Sequence, residues 1–361
     1  MMNVALNRIE DAYARYSRRL LDVMLDDYLD EAVAYLARTG RADYHLAQSF
    51  VMHPMDAADG ERIRDQKVVC MSLYFKGATF LRRNDHPVRD GAGQIPMEEL
   101  TRVHHPAWEG TPRFERTFLE NFVNKILASN FGDWGPLVYL AEDLSVLEPM
   151  LREKGWVVVK MGHSSNGCCP GSMWRYLSFN LDCRFAYIQD TDRSFLPNMA
   201  ERFIPPMNEN PSAALARPLQ WSSPAGEMST ILGNDFMVRP ASVDFDVARM
   251  MLGYTVLNIL HEDRINNFAH EPLRSRDDCR VEPLSKRRQR DFFGPHPHER
   301  VPHKCYPFYG FDEAWLREFL YYHFSDGRMI TFLQNRENPE DVSQRLDLEH
   351  QRARGNRLIP G

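Results

Sequence analysis

Between residues 67 and 188 the sequence alternates short apolar runs with stretches of helical periodicity, and that alternation narrows the possible folds more than anything else in the chain. The apolar runs are Lys67–Gly77, Pro136–Ala141, Trp156–Lys160 and Phe185–Ile188. Phe118, Phe122 and Ile126 mark one side of an amphipathic helix over Phe114–Ser129. Ser145–Glu153 reads as a second helix, with Ser145 as N-cap, Glu148 three residues on and Gly155 as the stop. After a turn rich in Gly, Ser, Asn and Pro, Ser172–Phe179 reads as a short helix. Strands that alternate with helices pair in parallel, because each crossover returns the chain to the same end of the sheet. The expectation is an α/β protein: a Rossmann-type, mainly parallel sheet flanked by helices.

The flanking regions differ. Leu6, Ile9, Tyr13, Tyr16 and Leu20, continued by Leu21, Leu25, Tyr28, Leu29, Val33 and Leu36, give a helical pattern that stops at Thr39-Gly40. This N-terminal helical extension (1–64) suits bracing of the main domain or homo-oligomer formation. Ala78–Thr111 lacks periodicity and reads as a long loop. An α/β half spans 65–196 and a second half of the same domain spans 197–333. In that second half, Pro197–Pro224 reads as irregular, Ile231–Val238 as an interrupted strand and Asp246–Ile259 as an amphipathic helix. Arg274–Lys304 is a charged loop holding Lys286–Arg290 and His296, His298 and His303, and Tyr306–Arg317 leads into a helix through Phe324. Residues 334–361 read as a charged, loose tail.

A formal charge of −6 over 361 residues argues against a nucleic-acid partner held by bulk electrostatics. No apolar stretch reaches the roughly 18 residues of a membrane span, so no transmembrane segment is expected. Met1–Asp11 carries Glu10 and Asp11 without a long apolar run and does not read as a secretory signal. The six cysteines (Cys70, Cys168, Cys169, Cys183, Cys279, Cys305) show no C-x-x-C pairing and read as reduced thiols in a cytoplasmic protein.

Chemistry concentrates where the fourth apolar run ends. Asp190 and Asp192 stand two residues apart, so on extended backbone both carboxylates project to one side. Hard oxygen ligands at a sheet rim suit Mg²⁺ or Mn²⁺ with positions left for phosphate oxygens. A solvated acidic turn is the plain alternative for the pair, but ligands of open α/β sheets bind outside the carboxyl ends of the strands, where these residues fall. Arg175, on the short helix just before, can pair with Asp182 or Glu142. Asp312 and Glu313 also suit a helix start on dipole grounds. The Lys286–Arg290 run reads as a solvated segment, or one reaching a diphosphate or an acidic acceptor. His296, His298 and His303 lack regular ligand spacing.

The order of Val69–Tyr74, Val138–Asp143, Met173–Leu177, Asp190-Thr191-Asp192 and Tyr309–Leu316 resembles the nucleotide-sugar glycosyltransferases of the GT-A fold. The resemblance runs from about Val68 to His323, and is strongest to bacterial-type members with a Trp-Arg-aromatic helix before their Asp-x-Asp. It implies a metal-dependent transferase moving a sugar from a UDP- or GDP-sugar donor to a carbohydrate or other hydroxyl acceptor. It also implies residue roles: Ser72, Leu73 and Tyr74 at the nucleotide; Arg175 and Asp190 at the donor; Asp190 and Asp192 on Mn²⁺ or Mg²⁺. Asp312 or Glu313, with Asp235 behind them, would approach the acceptor hydroxyl. Gln189 and Arg193 depart from the family's usual arginine before the motif and serine after it, which bears on donor-sugar contacts.

Two other classes remain open. A haloacid-dehalogenase-type phosphatase also places Asp-x-Asp after an apolar strand, but its Thr or Val two positions past the second Asp is Ser194 here, and the motif lies far from the N-terminus. A non-catalytic interaction protein would dock through the N-terminal helices and the Lys286–Arg290 loop.

Overall fold

The apolar runs become strands β1 (Lys67–Leu73), β2 (Gly135–Leu140), β3 (Val157–Lys160) and β4 (Phe185–Ile188). The computed structural model describes residues 28–39, 46–75, 88–102, 117–122, 126–162, 170–191, 193–218, 233–260, 312, 315–320, 323–324, 327–333 and 351–359. β1 pairs in parallel with β2 and with β4, and β2 with β3. Every residue of β1 after Lys67 and all four of β4 are buried, as a parallel sheet covered on both faces requires.

Four more strands complete an eight-stranded mixed sheet: β5 (Leu215–Pro218), β6 (Phe236–Val238), β7 (Met329–Phe332) and β8 (Arg357–Ile359). The order is β3-β2-β1-β4-β6-β5-β7-β8. Among the described strands, only β6 runs against its neighbours, pairing antiparallel with β4 and β5. From β1 the chain steps outward through β2 and β3, then returns to place β4 on the other side of β1. The carboxyl ends of β1 and β4 are therefore the switch point, where open α/β sheets take ligands. Because Ile188 pairs with Phe236 in opposite directions, the residues just before β6 come alongside the end of β4.

Several expectations need correction. Met97–Arg102 is a helix inside the expected loop Ala78–Thr111. Pro197–Pro224 holds two short helices, Pro197–Glu201 and Ile204–Glu209, and β5. Their prolines sit in the first helical turn, where no amide hydrogen is needed. Ser145 is not an N-cap. It lies within a 3₁₀ turn (Glu142–Leu147), and its hydroxyl bonds the Gln94 side chain instead. Within the expected tail, Arg357–Ile359 forms β8, parallel to β7. Leu29–Arg38 is helical as expected, with Leu29 and Leu36 buried; Val247–Leu260 is helical where expected but not amphipathic, with Val247, Met250, Met251, Tyr254, Thr255 and Val256 burying more than one face. Residues 1–27, Lys286–Arg290, the three histidines His296, His298 and His303, and Tyr306–Phe311 lie outside the described residues. Among the described residues, no helix is long and apolar enough to cross a membrane.

Cys70 on β1 and Cys183 are buried free thiols. Burial pushes the Cys70 pKa up to about 12, so almost none is the reactive thiolate near neutral pH. Iodoacetamide at pH 8 should therefore leave Cys70 unmodified in the folded chain and label it in guanidinium, as read by peptide mass spectrometry. Labelling of Cys70 in the native protein would contradict this placement.

Candidate functional site

The helix before β4 is tied to the end of β1. Gly171 opens it against the Tyr74 ring so closely that a Cβ there would lie 2.2 Å from Tyr74 Cγ. Trp174 meets the same ring edge-on at 6.1 Å. One residue further, the Arg175 amide donates to Ser72 Oγ at 2.8 Å. These contacts fix where the helix turns into the 3₁₀ segment Arg175–Asn180, and so where the Arg175 side chain points.

That side chain, 9% exposed, joins three parts of the chain. Nη1 donates to Asp190 Oδ1, just past β4. Nη2 donates to Asp312 Oδ2 at 2.9 Å and to the Tyr176 hydroxyl at 3.2 Å. Tyr176 in turn lies 3.3 Å from both Asp312 Oδ2 and the Gly233 carbonyl, long for a hydroxyl donor, so one hydrogen serves two acceptors. Asn234 Nδ2 donates to Asp190 Oδ2, so both oxygens of that carboxylate accept hydrogen bonds from the protein. Behind the cluster stands an aromatic wall: Tyr176 lies 5.4 Å from Trp315 and 6.2 Å from Phe236.

Burial works against the charge on Arg175, but Asp190, Tyr176 and Asp312 outweigh it and hold the guanidinium pKa well above its ordinary value. Burial raises the Tyr176 pKa far above the ordinary phenol, against the opposing pull of Arg175, so the phenol stays neutral. One cation thus faces the carboxylates Asp190 and Asp312. The side chain of Asp190 is 30% exposed, whereas that of Asp312 is 8% exposed.

Of the residues expected at the site, the structure brings together Ser72, Arg175, Asp190 and Asp312. Arg175 pairs with neither Asp182 nor Glu142; Asp182 instead meets Arg64 at 3.2 Å. Leu73 is core, and only its backbone is in play, its carbonyl accepting from the Ala141 amide at 2.9 Å. Tyr74 is half-buried at the same rim. Asp235 takes no part in the Arg175 cluster. It accepts from the Tyr187 hydroxyl, lies 3.6 Å from Arg202, and has a left-handed backbone with φ of 59°. Asp192 and Glu313 lie outside the described residues. The sequence reading missed Tyr176, Gly233 and Asn234. The only signal for the last two was a polar break before β6, and its meaning depends on β6 pairing with β4.

Among the described residues, no group of three His, Cys, Asp or Glu side chains can by itself hold a metal ion. Asp190, part-exposed at the switch point, offers carboxylate oxygens of the kind a hard divalent cation takes, with Arg175 and Asn234 already bonded to them. Mg²⁺ commonly binds through one or two carboxylates with phosphate oxygens and water completing the shell.

Fold and cluster together define an open α/β protein with a charged, polar site at the switch point of a mostly parallel sheet. A scan against protein-family models gives no match, and neither does a search of curated proteins.

Proposed function

We propose that this chain is a metal-dependent glycosyltransferase that moves a sugar from a UDP- or GDP-sugar to an acceptor hydroxyl. The observation that carries the reading is Asp190 at the carboxyl end of β4, ion-paired to the buried Arg175 beside the end of β1. At the end of β1 the half-buried Tyr74 presents an aromatic ring to a nucleoside, with the buried Ser72 behind it holding the Arg175 amide. Arg175 supplies positive charge to a diphosphate, as bidentate guanidinium groups do well. Asp190, with Asp192, would hold Mn²⁺ or Mg²⁺, which supplies Lewis-acid stabilisation of charge on a departing diphosphate. Asp312, buried and bonded by Arg175 and Tyr176, is better suited to holding Arg175 than to taking a proton from an acceptor. Glu313, its neighbour, is the better candidate for that proton.

Thermal unfolding with UDP or GDP, with and without Mn²⁺, tests the reading. A ligand that binds only the native state at a hundredfold excess over its Kd adds about 2.7 kcal/mol, a shift of several degrees. One of the two nucleotides should raise Tm only when Mn²⁺ is present, and Asp190→Asn should abolish the shift. No shift with either nucleotide overturns the proposal.

A further inference from the structure

We infer that Gln189 is a positioning residue for the site: its side-chain amide closes the loop that leaves β4 and so fixes where Asp190 stands. The inference rests on the transferase reading only for what Asp190 is presented to, and on geometry for the closure itself. Gln189 follows β4 directly and still reaches β1, its main-chain amide donating to the Cys70 carbonyl at 3.1 Å. The residue is buried, and its Nε2 donates to the Arg193 carbonyl at 2.8 Å. The loop thus begins and ends at one side chain, and Asp190 is the first residue inside it. Beyond the closure, the Phe195 amide donates to Ser129 Oγ at 2.9 Å. The Phe195 ring is buried, stacked on Phe131 at 5.3 Å and edge-on to Trp134 and Tyr187.

The tip of the loop is not held by burial, because Arg193 and Ser194 are exposed. The Gln189 bond therefore does the holding between β4 and Phe195. A buried amide that loses its acceptor costs more than the bond returns, so the closed form is strongly preferred over one with Gln189 buried and unpaired. Asp190 is gripped at its carboxylate by Arg175 Nη1 and Asn234 Nδ2, each from another part of the chain. Those grips act on the side chain, whereas the main chain at Asp190 goes where Gln189 and the loop send it. With the closure lost, Asp190 keeps those partners only by dragging them along. A displacement of about 1 Å in a site group is enough to cost much of its effect.

The test uses the full-length chain with Gln189→Met, which keeps the length of the side chain and removes the donor. Trypsin reads the loop directly, because Arg193 is exposed and the bond to Ser194 is cut when the loop opens. The peptide beginning at Ser194, followed by mass spectrometry, should appear about tenfold faster in the variant, the opening expected from one lost hydrogen bond. The rise in Tm with UDP or GDP and Mn²⁺ should shrink as an about tenfold weaker Kd makes it. Gln189→Glu has the same shape without the amide donor and should behave alike, which covers a methionine variant that does not fold. Asp56→Ala is the control: it removes the N-cap of the helix Ala57–Ile63 at a similar cost in stability. It should leave both readings at their wild-type values; if it moves them equally, they report stability alone and the positioning role is overturned. Unchanged cleavage in both Gln189 variants overturns the closure, and faster cleavage with a full nucleotide response overturns the positioning. A wild-type chain that answers neither nucleotide sinks the transferase reading, and the cleavage rates then decide the closure by themselves.

Discussion

Replacing Arg175 with methionine should destabilise the fold by about 3–5 kcal/mol, the usual result of removing one partner from a buried ion pair. The loss falls unevenly. Asp190, 30% exposed, can recover water on one side, while Asp312, at 8%, would be left as a buried charge without its guanidinium. Adding Asp312→Asn to the methionine variant should therefore restore much of the stability. The amide fills the same volume and carries no charge, and apolar or neutral replacement of a whole buried pair is often close to neutral. Asp190→Asn added to the same background should restore less. Urea unfolding followed by tryptophan fluorescence reads all of these, and the coupling between positions 175 and 312 comes from the double-mutant cycle. A loss below about 1 kcal/mol for Arg175→Met, the range of an exposed pair, would mean that the cluster is open to water.

The first half of the fold was legible for a physical reason. β1, β2, β3 and β4 lie in the buried centre and one flank of a parallel sheet, where each strand must be nearly continuously apolar, and such runs stand out in a sequence. The second half gave no such signal. β5 carries Arg217 and Pro218 in a strand of four residues, β6 has only three, and β8 has an exposed arginine at its start. These strands exist through pairing with partners far along the chain, which no local window contains. The site divides the same way. Asp190 and Arg175 were visible because each lies beside a strong local pattern. Asn234 and Gly233 gain their roles only because β6 is antiparallel to β4. Ser145 failed as a cap because Gln94, 51 positions away, bonds its hydroxyl first.

Gly233→Ala should be among the most damaging single-methyl changes in the chain. A Cβ at this position would lie 2.5 Å from Arg175 Nη2, 3.0 Å from Asp312 Oδ2 and 3.2 Å from the Tyr176 hydroxyl. Each of those atoms is the far end of a side chain, which in an ordinary place would step aside. Here they bond one another, and Tyr176 also bonds the Gly233 carbonyl, so a shift of one breaks contacts of the others. Overpacking alone costs about 1–3 kcal/mol. Part of the loss of the Arg175 pairings adds to it, which carries the expected destabilisation toward the upper end of that range. Asn234 is the next residue, so any backbone shift that relieves the crowding also moves the amide away from Asp190. The variant should therefore fail in two measurements at once, with a lower urea midpoint and a weakened response to Mn²⁺ with UDP or GDP. Serine should behave like alanine or worse, because the clash comes from Cβ itself. A Gly233→Ala chain with an unchanged midpoint would show that the turn before β6 does not press against Arg175.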